Sequence, residues 1–241
     1  MNESPTRGAI AFVCAMPMEA RPLARKLSLH PARAGDLRYR AGRLAGHPVV
    51  ATVTGMGTEL ATSGTTRLLD AVPIERVVVV GITGAVDDTT PIGSLVLPET
   101  VVNSATGAEF HPARMGDGQP PASGAMWTTD VVLTEPEVIA DLRARGVVAL
   151  DMETAAIAEV CEGRGIPWSV FRAFSDRATD GSIDEEIFQL SHQDGTPDGA
   201  AVARYFLKHP DRIPRMARLA RGAKLATETA ADAAIRAVSS I

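Results

Sequence analysis

Four consecutive valines, Val77 to Val80, follow Arg76 and end at Gly81. A β-branched run without polar alternation suits a central strand covered on both faces, and it points to an α/β sheet. The flanking sequence repeats a strand, turn and helix unit. Residues 9–14 are a short apolar run followed by Pro17, which fits the first turn of a helix, and by helix formers through Leu29. Residues 37–44 and 49–54 flank Gly46 as a hairpin, and Gly55-Met56-Gly57 then breaks the strand before a helix over 58–71. The valine strand is expected to end in a glycine turn, Gly81-Ile82-Thr83-Gly84. A strand pair over 94–102, a loop over 116–124, a helix over 135–145, a strand over 147–150, a helix over 151–163 and a strand over 168–174 follow. The rest reads as helices over 184–190, 198–208 and 213–238. The alternation predicts an α/β three-layer sandwich, with a central mixed β-sheet flanked by helices.

Composition narrows the class. With 45% hydrophobic residues in 241 the chain is not disordered, and it is expected to form a single domain over 1–241. Its 24 basic and 29 acidic residues give a net charge of −5, which argues against nucleic acid or an acidic membrane surface as partner. Cys14 and Cys161 sit apart in apolar stretches and read as buried small hydrophobes, consistent with a reducing cytoplasm. The first eight residues lack the apolar centre of a signal peptide, and no apolar run approaches the ~20 residues of a membrane span.

Familiar cofactor motifs are missing. Gly55-Met56-Gly57 lacks the third glycine of a dinucleotide fingerprint, and there is neither a Gly-Lys-Ser/Thr phosphate loop nor a Gly-x-Ser-x-Gly elbow. The five histidines lack ligand spacing, so no metal and no cofactor are expected. What remains at strand ends is a set of carboxylates: Glu19, Glu153 and Asp176. In open α/β sheets ligands bind beyond the carboxyl ends of the strands.

Three segments together resemble the nucleoside phosphorylase/nucleosidase superfamily, most closely its methylthioadenosine/S-adenosylhomocysteine nucleosidase-like branch. They are Ala15-Met16-Pro17-Met18-Glu19-Ala20, then Thr54-Gly55-Met56-Gly57 with Gly81-Ile82-Thr83-Gly84-Ala85, and Asp151-Met152-Glu153-Thr154-Ala155 with Phe171-Arg172-Ala173-Phe174-Ser175-Asp176. The resemblance implies a cofactor-free enzyme that cleaves the N-glycosidic bond of a purine nucleoside. Such a cleavage builds oxocarbenium-like charge on the sugar and negative charge on the base. Asp176, beside Ser175, is the implied general acid for the purine N7. Glu153 is the implied ribose ligand, since one carboxylate can accept from two adjacent hydroxyls, with Met152 against the sugar face. Gly84 and Thr83 are further implied binding positions. Taken alone, Glu153 and Asp151 would read as acids complementing a helix N-terminus, and Glu19 as a solvated residue in a first helical turn.

The choice between water and phosphate turns on two positions. Related phosphorylases carry phosphate-holding arginines where this chain has Glu19 and, near the valine run, Val79. A carboxylate repels phosphate but can activate water, so hydrolysis is expected, with Glu19 as the base. Phosphate-dependent phosphorolysis and non-catalytic nucleoside binding are the alternatives. Arg172 reads as the partner of an acid. Val132 stands where the family has a base-stacking aromatic, and Phe188 is a candidate rim residue. Residues 209–241 read as a C-terminal helical extension with a basic solvated face from Arg212, Arg215, Arg218, Arg221 and Lys224. The resemblance also implies self-association, foremost as a dimer.

Overall fold

The computed structural model describes residues 8–116, 119–180, 196, 198, 199, 204, 205 and 208–241. In chain order the elements are β1 (Ala9–Cys14), α1 (Pro17–Lys26), β2 (His30–Ala34), β3 (Leu37–Leu44), β4 (His47–Val53), α2 (Thr58–Ala71), β5 (Ile74–Ala85), β6 (Leu95–Val96), β7 (Thr100–Asn103) and β8 (Glu109–Phe110). β9 (Ala125–Thr128), α3 (Pro136–Ala144), β10 (Val147–Asp151), α4 (Thr154–Gly163), β11 (Trp168–Arg177) and α5 (Ile213–Ser239) complete them.

Among the described residues, eleven strands form one mixed sheet in the order β2-β3-β4-β1-β5-β10-β9-β7-β8, with β11 also on β5 and β6 beyond it. β1 is parallel to β4 and β5, and β11 is parallel to β5 from Val77 to Ala85. The two-residue connection between β3 and β4 closes the expected hairpin, with Leu44 opposite His47.

The valine strand is central because both of its faces are buried. Val77 and Val79 join Ala11 and Val13 of β1 against Ala61 and Leu68 of α2 and the alanines of α4. Val78 and Val80 join Ile10 and Phe12 against Leu23 of α1 and Ala226, Ala230, Ala233 and Ala234 of α5. Side chains alternate across a strand, so one run feeds both cores and the layers are helix, sheet, helix. Each fully buried Phe, Leu or Val contributes about 1.5–3 kcal/mol. Small alanines let α5 lie close to the sheet. Residues 209–241, set apart in the sequence as an extension, thus include a helix that supplies much of one core. Arg218, Arg221 and Lys224 are exposed on its outer side. Cys14 and Cys161 are buried and free, as expected. Among the described residues no helix is long and apolar enough to cross a membrane.

The structure corrects several boundaries. β5 does not turn at Gly81 but runs on to Ala85, because β11 pairs with it along that length. β11 likewise continues through Ser175 and Asp176, which lie within the strand rather than after it. The expected strand pair over 94–102 is two short strands that do not pair with each other: β6 joins β11 and β7 joins β9. Helix α1 stops at Lys26, followed by Ser28 at φ 50°; the short strands β2 and β8 carry too little apolar pattern to be read from sequence, and β9, though apolar, is only four residues long. The helices expected over 184–190 and most of 198–208, with Phe188, lie outside the described residues.

Candidate active site

The site begins with a fork in the sheet. β1 pairs with β5 only as far as Val79, and on that same edge β10 joins at Gly84 and Ala85. Between them the edge of β5 is taken by side chains instead of a strand. The N–H of Ile82 donates to Glu19 Oε1 at 2.8 Å, and the carbonyl of Ile82 accepts from Arg172 Nη1 at 2.8 Å. Gly81 makes this possible, since a Cβ there would stand 2.2 Å from Glu19 Oε1 and 2.7 Å from Arg172 Nη1.

Glu19 is fully buried in the first turn of α1 rather than solvated. Its Oε2 accepts from the N–H groups of Ala15 and Met16, both at 2.9 Å. With Ile82 this fills three of the roughly four acceptor positions of a carboxylate and leaves about one for a further donor. Burial pushes its carboxyl above the ordinary value, against the pull of Arg172 and the three N–H groups.

Arg172, from β11, is the hub. Nη2 donates to Asp151 at 2.7 Å and to Glu153 at 3.0 Å, and Nη1 lies 3.6 Å from Glu19. Burial opposes the guanidinium's charge, but Asp151, Glu153 and Glu19 together hold it charged more firmly than usual. The two acids after β10 have separate tasks. Asp151 accepts from Thr128 Oγ1, from Thr154 N–H at 2.9 Å and from the Thr154 hydroxyl, so it is the one that satisfies the start of α4. Glu153 turns away from that helix end: Oε1 accepts from Gly57 N–H at 3.1 Å and Oε2 from Arg172. Burial pushes its carboxyl up to about 7, with Arg172 opposing and Asp151 and Glu19 adding to the rise. One cation among three buried acids leaves a surplus of negative charge, and protonation of Glu153 relieves it.

Asp176 is placed by a bulge. Phe174 pairs with Thr83 and Asp176 with Gly84, leaving Ser175 as the extra residue. Such a bulge re-aims the side chains after it. The Ser175 hydroxyl donates to Asp176 Oδ1, and Asp176 is buried.

These groups surround a cavity of about 310 Å³ whose lining includes Glu19, Thr83, Gly84, Val132, Met152, Glu153, Ser175 and Asp176. Thr83 does so with its hydroxyl already donated to the Leu150 carbonyl at 2.7 Å. The remaining wall is mostly apolar, from Met16, Met18, Met56, Ile82, Leu133 and Leu150. No aromatic ring lines it among the described residues, in keeping with Val132 at the position where one was expected. Sequence reading missed Asp151 as the support of Arg172, and it missed Leu219 and Ala223 of α5 as wall residues. The i, i+4 apolar spacing of Leu219 and Ala223 was the available signal for a helix facing inward.

Comparison with known proteins agrees with this architecture. The 5′-methylthioadenosine/S-adenosylhomocysteine nucleosidase of Bacillus thuringiensis (strain Al Hakam) is 27% identical, over 70% of this chain and 86% of its own. The solved 5′-methylthioadenosine/S-adenosylhomocysteine nucleosidase from Neisseria meningitidis, in complex with methylthio-immucillin-A, superposes with a TM-score of 0.71 at 19% identity, covering 98% of this chain and 100% of that one. Futalosine hydrolase of Helicobacter pylori strain 26695 gives 0.73 at 16% identity, covering 99% and 100%. These solved structures share the fold, including the ground covered by α5. The family model of the phosphorylase superfamily matches residues 9–123 and 112–208, most of the sequence, and the chain belongs to that superfamily.

Proposed function

We propose that this protein hydrolyses the N-glycosidic bond of a purine nucleoside, of the adenosine or 5′-substituted adenosine type, to free base and ribose. The observation that carries the reading is the convergence of Glu19, Glu153 and Asp176 on one apolar cavity of about 310 Å³, a volume suited to a nucleoside. Asp176 gives a proton to the purine N7, the Ser175 hydroxyl fixing its orientation. Glu153 has acceptor positions left after Gly57 and Arg172, and these take the two ribose hydroxyls, with Met152 against the sugar. Glu19 uses its remaining acceptor position for the attacking water, and a carboxyl raised by burial is a stronger base than an ordinary carboxylate.

Water is favoured over phosphate by the charges on hand. Val79 is buried in the core and brings no cation. Arg172 is committed to three acids and the Ile82 carbonyl, and Arg177, also on the wall, donates through Nε and Nη2 to the Thr90 carbonyl. A phosphate dianion would enter a pocket of surplus negative charge. The relatives named above as nucleosidases and a hydrolase support the same choice.

The test is a panel of purine nucleosides incubated with and without inorganic phosphate, following base and sugar by chromatography. Free base and free ribose in equal amounts, independent of phosphate, are expected. Sugar 1-phosphate formed only with phosphate overturns hydrolysis, and tight binding without turnover overturns catalysis.

A further inference from the structure

Asp130 takes part in none of the steps above, yet it joins the two sides of the cavity. It follows β9 on the connection to α3, the same loop that carries Val132 and Leu133 into the wall. Facing that loop is the start of α2, where the first residue outside the helix is Gly57, with no side chain to satisfy the leading N–H groups. Asp130 satisfies one of them from a distant part of the chain. Its Oδ1 accepts from the Thr58 N–H at 2.7 Å and its Oδ2 from the Thr58 hydroxyl at 2.5 Å. One peptide earlier, Gly57 N–H donates to Glu153 at 3.1 Å. Gly57 holds this geometry at φ +93°, where other side chains are strained. Two consecutive N–H groups therefore serve two carboxylates, one on the loop of Val132 and one inside the cavity.

We propose that Asp130 is a positioning residue, clamping the Val132 and Leu133 wall to the start of α2 and so setting its separation from Glu153. The inference rests on the nucleosidase reading, in which that wall meets the base and Glu153 meets the ribose. A base and a sugar joined by one bond fit only when both partners stand at a fixed distance. Without the clamp the competent arrangement is populated only part of the time, which lowers apparent affinity by that fraction while the chemistry of the competent complex is unchanged. Asp130 is exposed, so replacing it removes no core packing.

The experiment is steady-state kinetics on the full chain with the nucleoside that the wild type cleaves fastest, comparing D130A, D130N and T58V, with thermal melting to confirm that each is folded. Loss of two hydrogen bonds to a charged acceptor is expected to raise KM about tenfold in D130A, with kcat within about twofold of wild type. D130N keeps an acceptor for the Thr58 N–H and should return KM to within about threefold of wild type, while T58V, which loses only the hydroxyl bond, falls between. D130N and T58V carry the test if D130A does not fold. An unchanged KM across the variants, or a fall in kcat at constant KM, overturns the clamp. A wild type that releases no base from any nucleoside overturns the nucleosidase reading and the clamp with it, whereas turnover in both wild type and D130A with the same KM overturns the clamp alone.

Discussion

The raised carboxyl of Glu153 makes a stability prediction with a definite sign. Its folded value is about 7 and its ordinary value 4.5, the rise coming first from burial. Between those two values the unfolded chain releases the proton while the folded chain keeps it. Stability on this account is fully present below about pH 4.5 and declines as pH rises toward 7. At about 1.4 kcal/mol for each tenfold change in proton affinity, the loss over the window is about 3 kcal/mol. Glu153→Gln cannot ionise, so it removes this dependence. It also places an amide donor against either Gly57 N–H or Arg172, which costs about 1–3 kcal/mol at every pH. Urea unfolding of both proteins from pH 4.5 to 7.5 is the assay. The wild type should begin more stable and lose about 3 kcal/mol more than E153Q across the range, so that the two curves converge. Curves that stay parallel would refute the argument, because they would mean that Glu153 is ionised in the folded protein throughout. Glu19 is raised by burial in both proteins and cancels to first order.

Other consequences follow from the same geometry. Gly81→Ala places a methyl 2.2 Å from Glu19 Oε1, so either the carboxylate or β5 must move; a stability loss of about 1–3 kcal/mol by urea unfolding is expected, together with at least a ~100-fold fall in kcat. Arg172→Met strands Asp151 and leaves Glu19 and Glu153 without their opposing charge; about 3–5 kcal/mol should be lost by the same measurement. Asp176→Asn preserves shape but not acidity, and on the proposed mechanism kcat should fall about 10²–10⁴-fold while the melting temperature stays close to wild type.

Much of the fold was legible because it rests on local signals: the valine run, the Pro17 helix start, the hairpin at Gly46 and the glycine break before Thr58. What stayed hidden depends on pairing between distant segments. Nothing in Gly81-Ile82-Thr83-Gly84 alone distinguishes a turn from a strand, and only the partner β11 keeps it extended to Ala85. Glu19, Glu153 and Asp176 were readable through their motifs and line one cavity. Asp151 stands in one of those motifs, but its task was invisible because it is set by Thr128 and Arg172, which lie 23 and 21 residues away. Leu219 and Ala223 stand four residues apart on the C-terminal helix, but such periodicity shows that a helix has an inner face without showing what that face meets.

The burial of Arg172 among three carboxylates also explains how one arrangement can bind a neutral substrate and favour a charged transition state. Were the guanidinium matched by a single acid, the pocket would be electrically neutral and indifferent to charge on the sugar. With Asp151, Glu153 and Glu19 around it, the balance is negative whenever more than one of them is ionised, and the apolar wall keeps screening low. A neutral nucleoside gains little from that field. On the proposed mechanism an oxocarbenium-like sugar held between Glu153 and Glu19 gains much, and the gain arises only as the glycosidic bond breaks, which is the condition for a binding interaction to accelerate the chemical step. The hydrogen bonds from Ala15, Met16, Ile82 and Gly57 fix the carboxylates before substrate arrives, so little reorganisation is left for the moment of reaction. Removing Arg172 would therefore not make the pocket a stronger cation trap. It would drive the acids to take up protons and extinguish the field, and the R172M variant should lose kcat even under conditions where it remains folded.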